Sequence, residues 1–282
     1  MTSPTTVLIT GGASGMGAAT AQLFTQEGAR VFIVDRNATL AAETAARLGA
    51  TAVVGDVGDS TFCEHAVRTA AAAGRLDAVV NAAGIILRKG GIDTSDEDWQ
   101  RTLSVNVSGV FYMCRAAIRQ MLTQTPNAAQ QRGAIVNFGS IWGELSGKGA
   151  LAYAMSKGAV HQITRTFGIE HARDGIRVNA VCPGEVDTPM LRAAGRAVPL
   201  SDRKVADRCR PVVGRQVVHD DRPGRGPCEQ PLVDRVPGER VVPLGRLAQP
   251  VEIARMVRFL CSDQASYITA AMHYVDGGYS AV

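Results

Sequence analysis

The chain has 282 residues, 46% hydrophobic and 20% charged, an ordinary balance for a globular protein and long enough for one sizeable core. No stretch approaches the roughly 20 apolar residues needed to span a bilayer, and Met1 to Thr6 is too short and uncharged for a secretory signal, so a cytoplasmic protein without membrane contact is expected. The net charge of +4 is carried by residues 192–240, which hold 11 Lys and Arg against 7 Asp and Glu; no basic groove crosses the remainder, and nucleic acid is not an expected partner.

In chain order, short β-branched runs alternate with Ala-rich stretches of helical period. Strands are predicted at Val7 to Thr10, Val31 to Asp35, Ala52 to Val54, Ala78 to Val80, Ala134 to Phe138 and Arg177 to Val181. Helices are predicted at Ala18 to Glu27, Leu40 to Leu48, Ser60 to Ala73, Glu97 to Met121 and Ala154 to Arg173. Pro250 is placed to start a last helix through Leu260, and Met272 to Val275 reads as a closing strand. Continuously apolar strands joined by helix-length crossovers predict an α/β fold: a doubly wound parallel sheet of about seven strands with helices on both faces. The expected organisation is a single domain over residues 1–282.

Residues 192–240 break the rhythm, with ten arginines, six of the twelve prolines, five glycines and no sustained apolar period. Two readings stand open. One is a lid or disordered insert over a ligand site; the other is a compensated pair of frameshifts, since Arg, Pro, Gly and Val are what GC-rich codons give when read out of frame. The six cysteines, Cys63, Cys114, Cys182, Cys209, Cys228 and Cys261, form no CxxC pair and have no histidine at metal-ligand spacing, so reduced thiols and no metal site are expected.

The first strand runs into Thr10-Gly11-Gly12-Ala13-Ser14-Gly15-Met16-Gly17, directly before a helix. Glycines there let the backbone turn tightly and approach a pyrophosphate held by the free N–H groups of the helix start. Asp35 ends the second strand, where a carboxylate accepts hydrogen bonds from both ribose hydroxyls of an adenosine and repels a 2′-phosphate. That charge logic favours NAD over NADP, although Arg36 beside it is a group that accommodates such a phosphate. Tyr153 and Lys157, four apart, share a helix face, and Ser140 closes the strand before them. A tyrosine titrates near ~10, and a neighbouring ammonium lowers that value, as a proton-transfer group at neutral pH requires.

Together with Asn81-Ala82-Ala83-Gly84 after the fourth strand, this sequence resembles the short-chain dehydrogenase/reductase family and its Rossmann-type fold. The resemblance spans about 230 residues and leaves out only 192–240. Asp56-Val57 matches the family's adenine-binding pair, Asn106 its helix asparagine, Ser140 its serine and Tyr153 to Lys157 its YxxxK motif. Pro183-Gly184, Val186 and Thr188, followed by Pro243 to Arg246 and Val275 to Gly278, fall in the family's order.

The resemblance implies an NAD(H)-dependent oxidoreductase interconverting a secondary alcohol and a ketone. In it, Tyr153 is the general acid/base, Lys157 lowers the Tyr153 pKa and binds the nicotinamide ribose, and Ser140 holds the substrate oxygen. Asn106 keeps a water in line with the lysine. Gly11, Ser14, Gly15, Met16, Gly17, Asp35, Asp56, Val57, Asn81, Ala83, Gly84, Pro183, Gly184, Val186 and Thr188 join Tyr153 and Lys157 in binding cofactor, with Thr188 on the carboxamide or serving as a helix N-cap. A homotetramer, or a homodimer as the smaller assembly, is implied through the helices of Asn106 and Tyr153 and the last strand. Trp142 and Glu144 suggest an apolar substrate wall with one polar contact, and Arg88 and Lys89 read as a solvated edge or as groups greeting an anion. The alternatives are a non-catalytic dinucleotide sensor and an enzyme of this family impaired by an altered 192–240 segment.

Overall fold

The computed structural model describes residues 6–193 and 242–281. The readings of 192–240 beyond Ala193, with Cys209 and Cys228, lie outside these residues. The β-branched runs form seven strands: β1 (Thr6–Thr10), β2 (Arg30–Asp35), β3 (Thr51–Val54), β4 (Ala78–Asn81), β5 (Gly133–Phe138), β6 (Ile176–Pro183) and β7 (Met272–Val275). Every neighbouring pair is parallel, in the order β3-β2-β1-β4-β5-β6-β7. The helices are α1 (Gly15–Gln26), α2 (Ala38–Leu48), α3 (Ser60–Ala71), α4 (Asp96–Leu103), α5 (Gly109–Leu122), α6 (Leu151–Glu170), α7 (Pro189–Ala193) and α8 (Pro250–Cys261).

Successive side chains of a strand point to opposite faces, and here both faces are covered. Leu8, Phe32, Val79, Ile135 and Val178 pack with Val67 of α3, Val110 and Met113 of α5 and Val160 of α6. Val7, Ile9, Ile33, Val80 and Val181 pack on the other side with Ala21 and Phe24 of α1 and Ile253, Val257 and Leu260 of α8. Burial of each such side chain contributes about 2 kcal/mol, which is why the strands read as unbroken apolar runs. The result is the three-layer α/β/α sandwich expected of a Rossmann-type fold.

Local signals fix where the helices begin. Asn37 accepts the Leu40 N–H at 3.0 Å to cap α2, Asp59 accepts the Thr61 N–H at 2.8 Å to cap α3, and Pro250 opens α8. One expectation differs. The helix predicted over Glu97 to Met121 is interrupted by a π turn at Ser104–Ser108, between α4 and α5. A π turn breaks the regular ladder, and apolar periodicity cannot report it. The break is offset by the side chain of the fully buried Asn106, which bonds a neighbouring loop from this turn.

The core thiols carry a consequence for stability. Burial pushes Cys63, Cys114, Cys182 and Cys261 up from 9.0 to about 12. Above pH ~9 an unfolded chain therefore releases thiol protons that the folded protein keeps, so the folded state binds more protons and stability falls as pH rises. Burial drives Lys157 the other way, from 10.5 down to about 8, which adds stability with rising pH over that window, but it is one group against four. Calorimetry under reducing conditions is predicted to show a Tm that declines from pH ~9 to pH ~10.5; a flat or rising Tm contradicts the buried-thiol assignment.

Candidate active site

The chain leaves β1 for β2 on one side and leaves β4 for β5 on the other, so the strand order opens a crevice between β1 and β4 at the carboxyl edge of the sheet. A two-lobed cleft of about 240 and about 120 Å³ lies there, its lobes sharing Met16, Ala82, Gly84, Thr188 and Met190.

The larger lobe is built around the turn from β1 to α1. Gly11 takes φ +63°, and a Cβ on it would stand 2.8 Å from the Ala83 backbone. A Cβ at Gly17 would stand 2.2 Å from the Gly11 carbonyl oxygen, so α1 starts hard against the turn. Ser14 caps α1 with extended backbone and no side-chain hydrogen bond, leaving the first helical N–H groups to the lobe that Ser14, Gly15, Met16 and Gly17 line. The Ala83 N–H donates to Thr10 Oγ1 at 3.1 Å, tying β4's exit to the same turn. Asp35, Arg36, Asp56 and Val57 line the far end. Asp56 accepts the Gly58 N–H at 2.8 Å, and Asp35 accepts the Asn37 N–H at 3.1 Å.

The smaller lobe holds Ser140, Tyr153 and Lys157, with Pro183, Gly184 and Val186 from the end of β6. Gly184 is pressed against the chain after β7, where a Cβ would be 2.8 Å from Asp276 Cα. Lys157, 5% exposed, donates from Nζ to the Phe138 carbonyl at 2.7 Å and lies 5.5 Å from the Tyr153 ring centroid. Burial pushes Lys157 down to about 8. Burial also pushes the Tyr153 phenol up, opposed by a hydrogen bond from Ser140 and by the charge of Arg88. In the protein alone the Lys157 Nζ is turned to the Phe138 carbonyl.

Two of the expected residues do not line the cleft. Asn81 is 2% exposed and turns under the sheet edge, donating to Asn137 Oδ1 at 2.8 Å, its register partner on β5. Asn106 accepts the Ile85 N–H at 2.8 Å and donates to the Ile85 carbonyl at 2.9 Å and to Ser156 Oγ at 3.0 Å. Its amide thus staples the loop after β4 to α6. Thr188 caps α7, accepting the Leu191 N–H at 3.3 Å, and also lines both lobes.

The substrate side differs in one respect from the sequence reading. Trp142 is a wall, in edge contact with Tyr153 at 6.1 Å and beneath Arg88 at 5.2 Å, but Glu144 pairs with Arg165 at 3.6 Å outside the lobe, and Glu185 lines it instead. Lys89 is ion-paired with Asp98 at the surface. Met190, Leu191 and Tyr279 complete the wall, without a motif to announce them. The sequence signal for His161 is its place four residues after Lys157, on the same face of α6. Among the described residues, no group of three or more His, Cys, Asp or Glu could hold a metal ion, and no helix is long and apolar enough to cross a membrane.

Comparison with known proteins accounts for most of the chain. A family model described as short chain dehydrogenase matches residues 5–198, and one described as Enoyl-(Acyl carrier protein) reductase matches residues 235–280. The chain is 36% identical over 281 residues to cyclopentanol dehydrogenase of Comamonas testosteroni, covering 98% of this chain and 96% of the relative. It is 34% identical over 277 residues to galactitol 2-dehydrogenase (L-tagatose-forming) of Cereibacter sphaeroides, covering 96% and 93%. It is 32% identical over 280 residues to oxidoreductase UcpA of Salmonella typhimurium, covering 97% and 93%. A parallel sheet wound on both faces, matched by family and by relatives along nearly all its length, makes this chain a member of the short-chain dehydrogenase family.

Proposed function

We propose that this protein is an oxidoreductase that interconverts a small secondary alcohol and its ketone by hydride transfer with a nicotinamide dinucleotide, NAD(H) in preference to NADP(H). The observation that carries the reading is the continuity of the two lobes: the glycine turn and Asp35 line one, Ser140, Tyr153 and Lys157 line the other, and they meet at Met16, Gly84 and Thr188.

The residues present fit such a cofactor. The turn at Gly11 to Gly17 and the uncapped start of α1 are a cradle for a pyrophosphate, and a side chain at Gly11 or Gly17 would fill it. Asp35 meets the adenosine ribose and, by its charge, disfavours a 2′-phosphate. Val186, Thr188 and the Pro183-Gly184 turn hold the nicotinamide end. When bound, the dinucleotide supplies the hydride acceptor or donor. Tyr153 moves the proton at its phenolic oxygen, Ser140 orients the substrate oxygen, and Lys157 favours the phenolate while it is protonated. The Asn106 side chain is committed to Ile85 and Ser156, so it supports the loop after β4 against the helix that carries Tyr153 and Lys157.

The apolar and aromatic wall of Ile86, Trp142, Met190 and Tyr279 supports a compact substrate, as do relatives named for cyclopentanol and galactitol. We also propose assembly as a homotetramer, or a homodimer, through α5 and α6, supported by the exposed Phe111, Leu122 and Ile169 on those helices.

Fluorescence titration with NADH and NADPH, followed by a scan of secondary alcohols, tests the reading. Tyr153→Phe is predicted to cut kcat by about 10³-fold while NADH binding stays within about twofold. Binding without turnover of any secondary alcohol in the unaltered protein would instead favour a dinucleotide sensor. Asp35→Ser is predicted to reduce the preference for NADH over NADPH by about tenfold, or about 1.4 kcal/mol; an unchanged ratio removes Asp35 from cofactor choice.

A further inference from the structure

Behind Ser140 the chain spends a buried histidine in a way that packing alone does not explain. β5 makes its last sheet bond at Gly139, whose N–H donates to the Val181 carbonyl at 2.8 Å. The next amide, that of Ser140, is past the ladder and buried; Nε2 of His161 meets it at 3.5 Å, with the sulfur of Cys182 facing the same backbone. A buried N–H without an acceptor costs about 1 to 3 kcal/mol. The same nitrogen lies 3.2 Å from Sγ of Cys182 on β6.

We propose that His161 is a positioning residue, a neutral imidazole that receives the Ser140 amide at Nε2 and thereby sets the Ser140 hydroxyl beside Tyr153. The proton pattern is consistent. Burial disfavours the imidazolium and pushes the Cys182 thiol up to about 12, so both groups stay neutral; with the ring proton on Nδ1, the single lone pair of Nε2 is left to face the Ser140 amide. An imidazolium would aim a second N–H at the Ser140 amide.

The surroundings are shaped to this ring. A Cβ at Gly139 would stand 2.6 Å from His161 Nε2, and one at Gly143 would stand 2.3 Å from its Cε1, so both glycines flanking Ser140-Ile141-Trp142 are needed for the imidazole to sit there. His161 is 1% exposed, and its Nδ1 is buried with no hydrogen-bond partner among the described residues. A leucine would fill the space without that penalty. The rest of the Ser140 turn depends on the same placement: Ser140 Oγ accepts the Trp142 N–H at 3.1 Å, and the Ser140 carbonyl accepts the Gly143 N–H at 3.0 Å. α6 thus carries Tyr153 and Lys157 on its cleft side and the support for Ser140 one turn further on.

The inference rests on the proposed role of Ser140, and a double-mutant cycle separates the two. His161→Leu is expected to lower kcat/KM for the best secondary alcohol by about tenfold or more, chiefly in kcat. His161→Gln, whose Oε1 reaches about where Nε2 sits, is expected to recover it to within about threefold. In a Ser140→Ala background, His161→Leu should change kcat/KM by less than about twofold. An equal loss in both backgrounds, or a Gln variant as damaged as the Leu variant, overturns the proposal. His161→Asn, too short to reach the amide, replaces His161→Leu should that variant fail to fold.

A second readout needs no substrate, so it survives if no alcohol is oxidised. Phenolate absorbance, taken as the difference from Tyr153→Phe, should show the Tyr153 pKa rising in His161→Leu and not in His161→Leu/Ser140→Ala relative to Ser140→Ala. A Tyr153 titration indifferent to His161 in both backgrounds also overturns it.

Discussion

The approach of α1 to the turn that precedes it is the constraint on which the rest of the cleft depends. A Cβ at Gly17 would sit 2.2 Å from the Gly11 carbonyl, and a Cβ at Gly11 would sit 2.8 Å from Ala83, so three backbone segments meet with no room for a side chain between them. That meeting brings the helix start, the end of β1 and the exit of β4 to one point on the sheet edge. Everything bound there is read by backbone groups and by whatever the other strands deliver to the same edge. Because all seven strands are parallel, they deliver a great deal: Asp35 from β2, Asp56 beyond β3, Ser140 beyond β5 and Gly184 beyond β6.

Beneath that edge lies a layer of buried polar side chains, each paired to backbone that the sheet no longer serves. Asn106 supplies both a donor and an acceptor to Ile85, Lys157 donates to Phe138, and His161 accepts from Ser140. Buried groups of this kind are costly unless satisfied, so their partners are held tightly where they are. The layer converts loose strand exits into fixed walls. It also explains the π turn, which places Asn106 within reach of Ile85 at the expense of regular helix bonds.

Much of this was legible in the sequence because the physics is local. Strands covered on both faces must be apolar throughout, and that gave all seven to within a few residues at their ends. The glycine turn and the pair Tyr153 and Lys157 stood at spacings that a strand-turn-helix and a single helix face turn directly into geometry. What was not legible depends on contacts between distant segments. Asn81 reads like a cleft residue, but its register opposite Asn137 turns it into the sheet layer. Glu144 and Glu185 are equally polar in sequence, and only the path of the chain puts the second in the cleft and the first beside Arg165. The pocket of His161 has no local signal, since the glycines that make room for it are 18 and 22 residues away.

The central claim is that the two lobes hold one reaction, with hydride passing directly between cofactor and alcohol carbon. The most direct measurement supplies cyclopentanol, or whichever secondary alcohol is oxidised fastest, with deuterium on its carbinol carbon, together with unlabelled NAD, and weighs the reduced cofactor by mass spectrometry. The account predicts one deuterium in the NADH formed, and none when the deuterium is supplied in the solvent instead. Label arriving from solvent, or no reduced cofactor with any secondary alcohol, would contradict it.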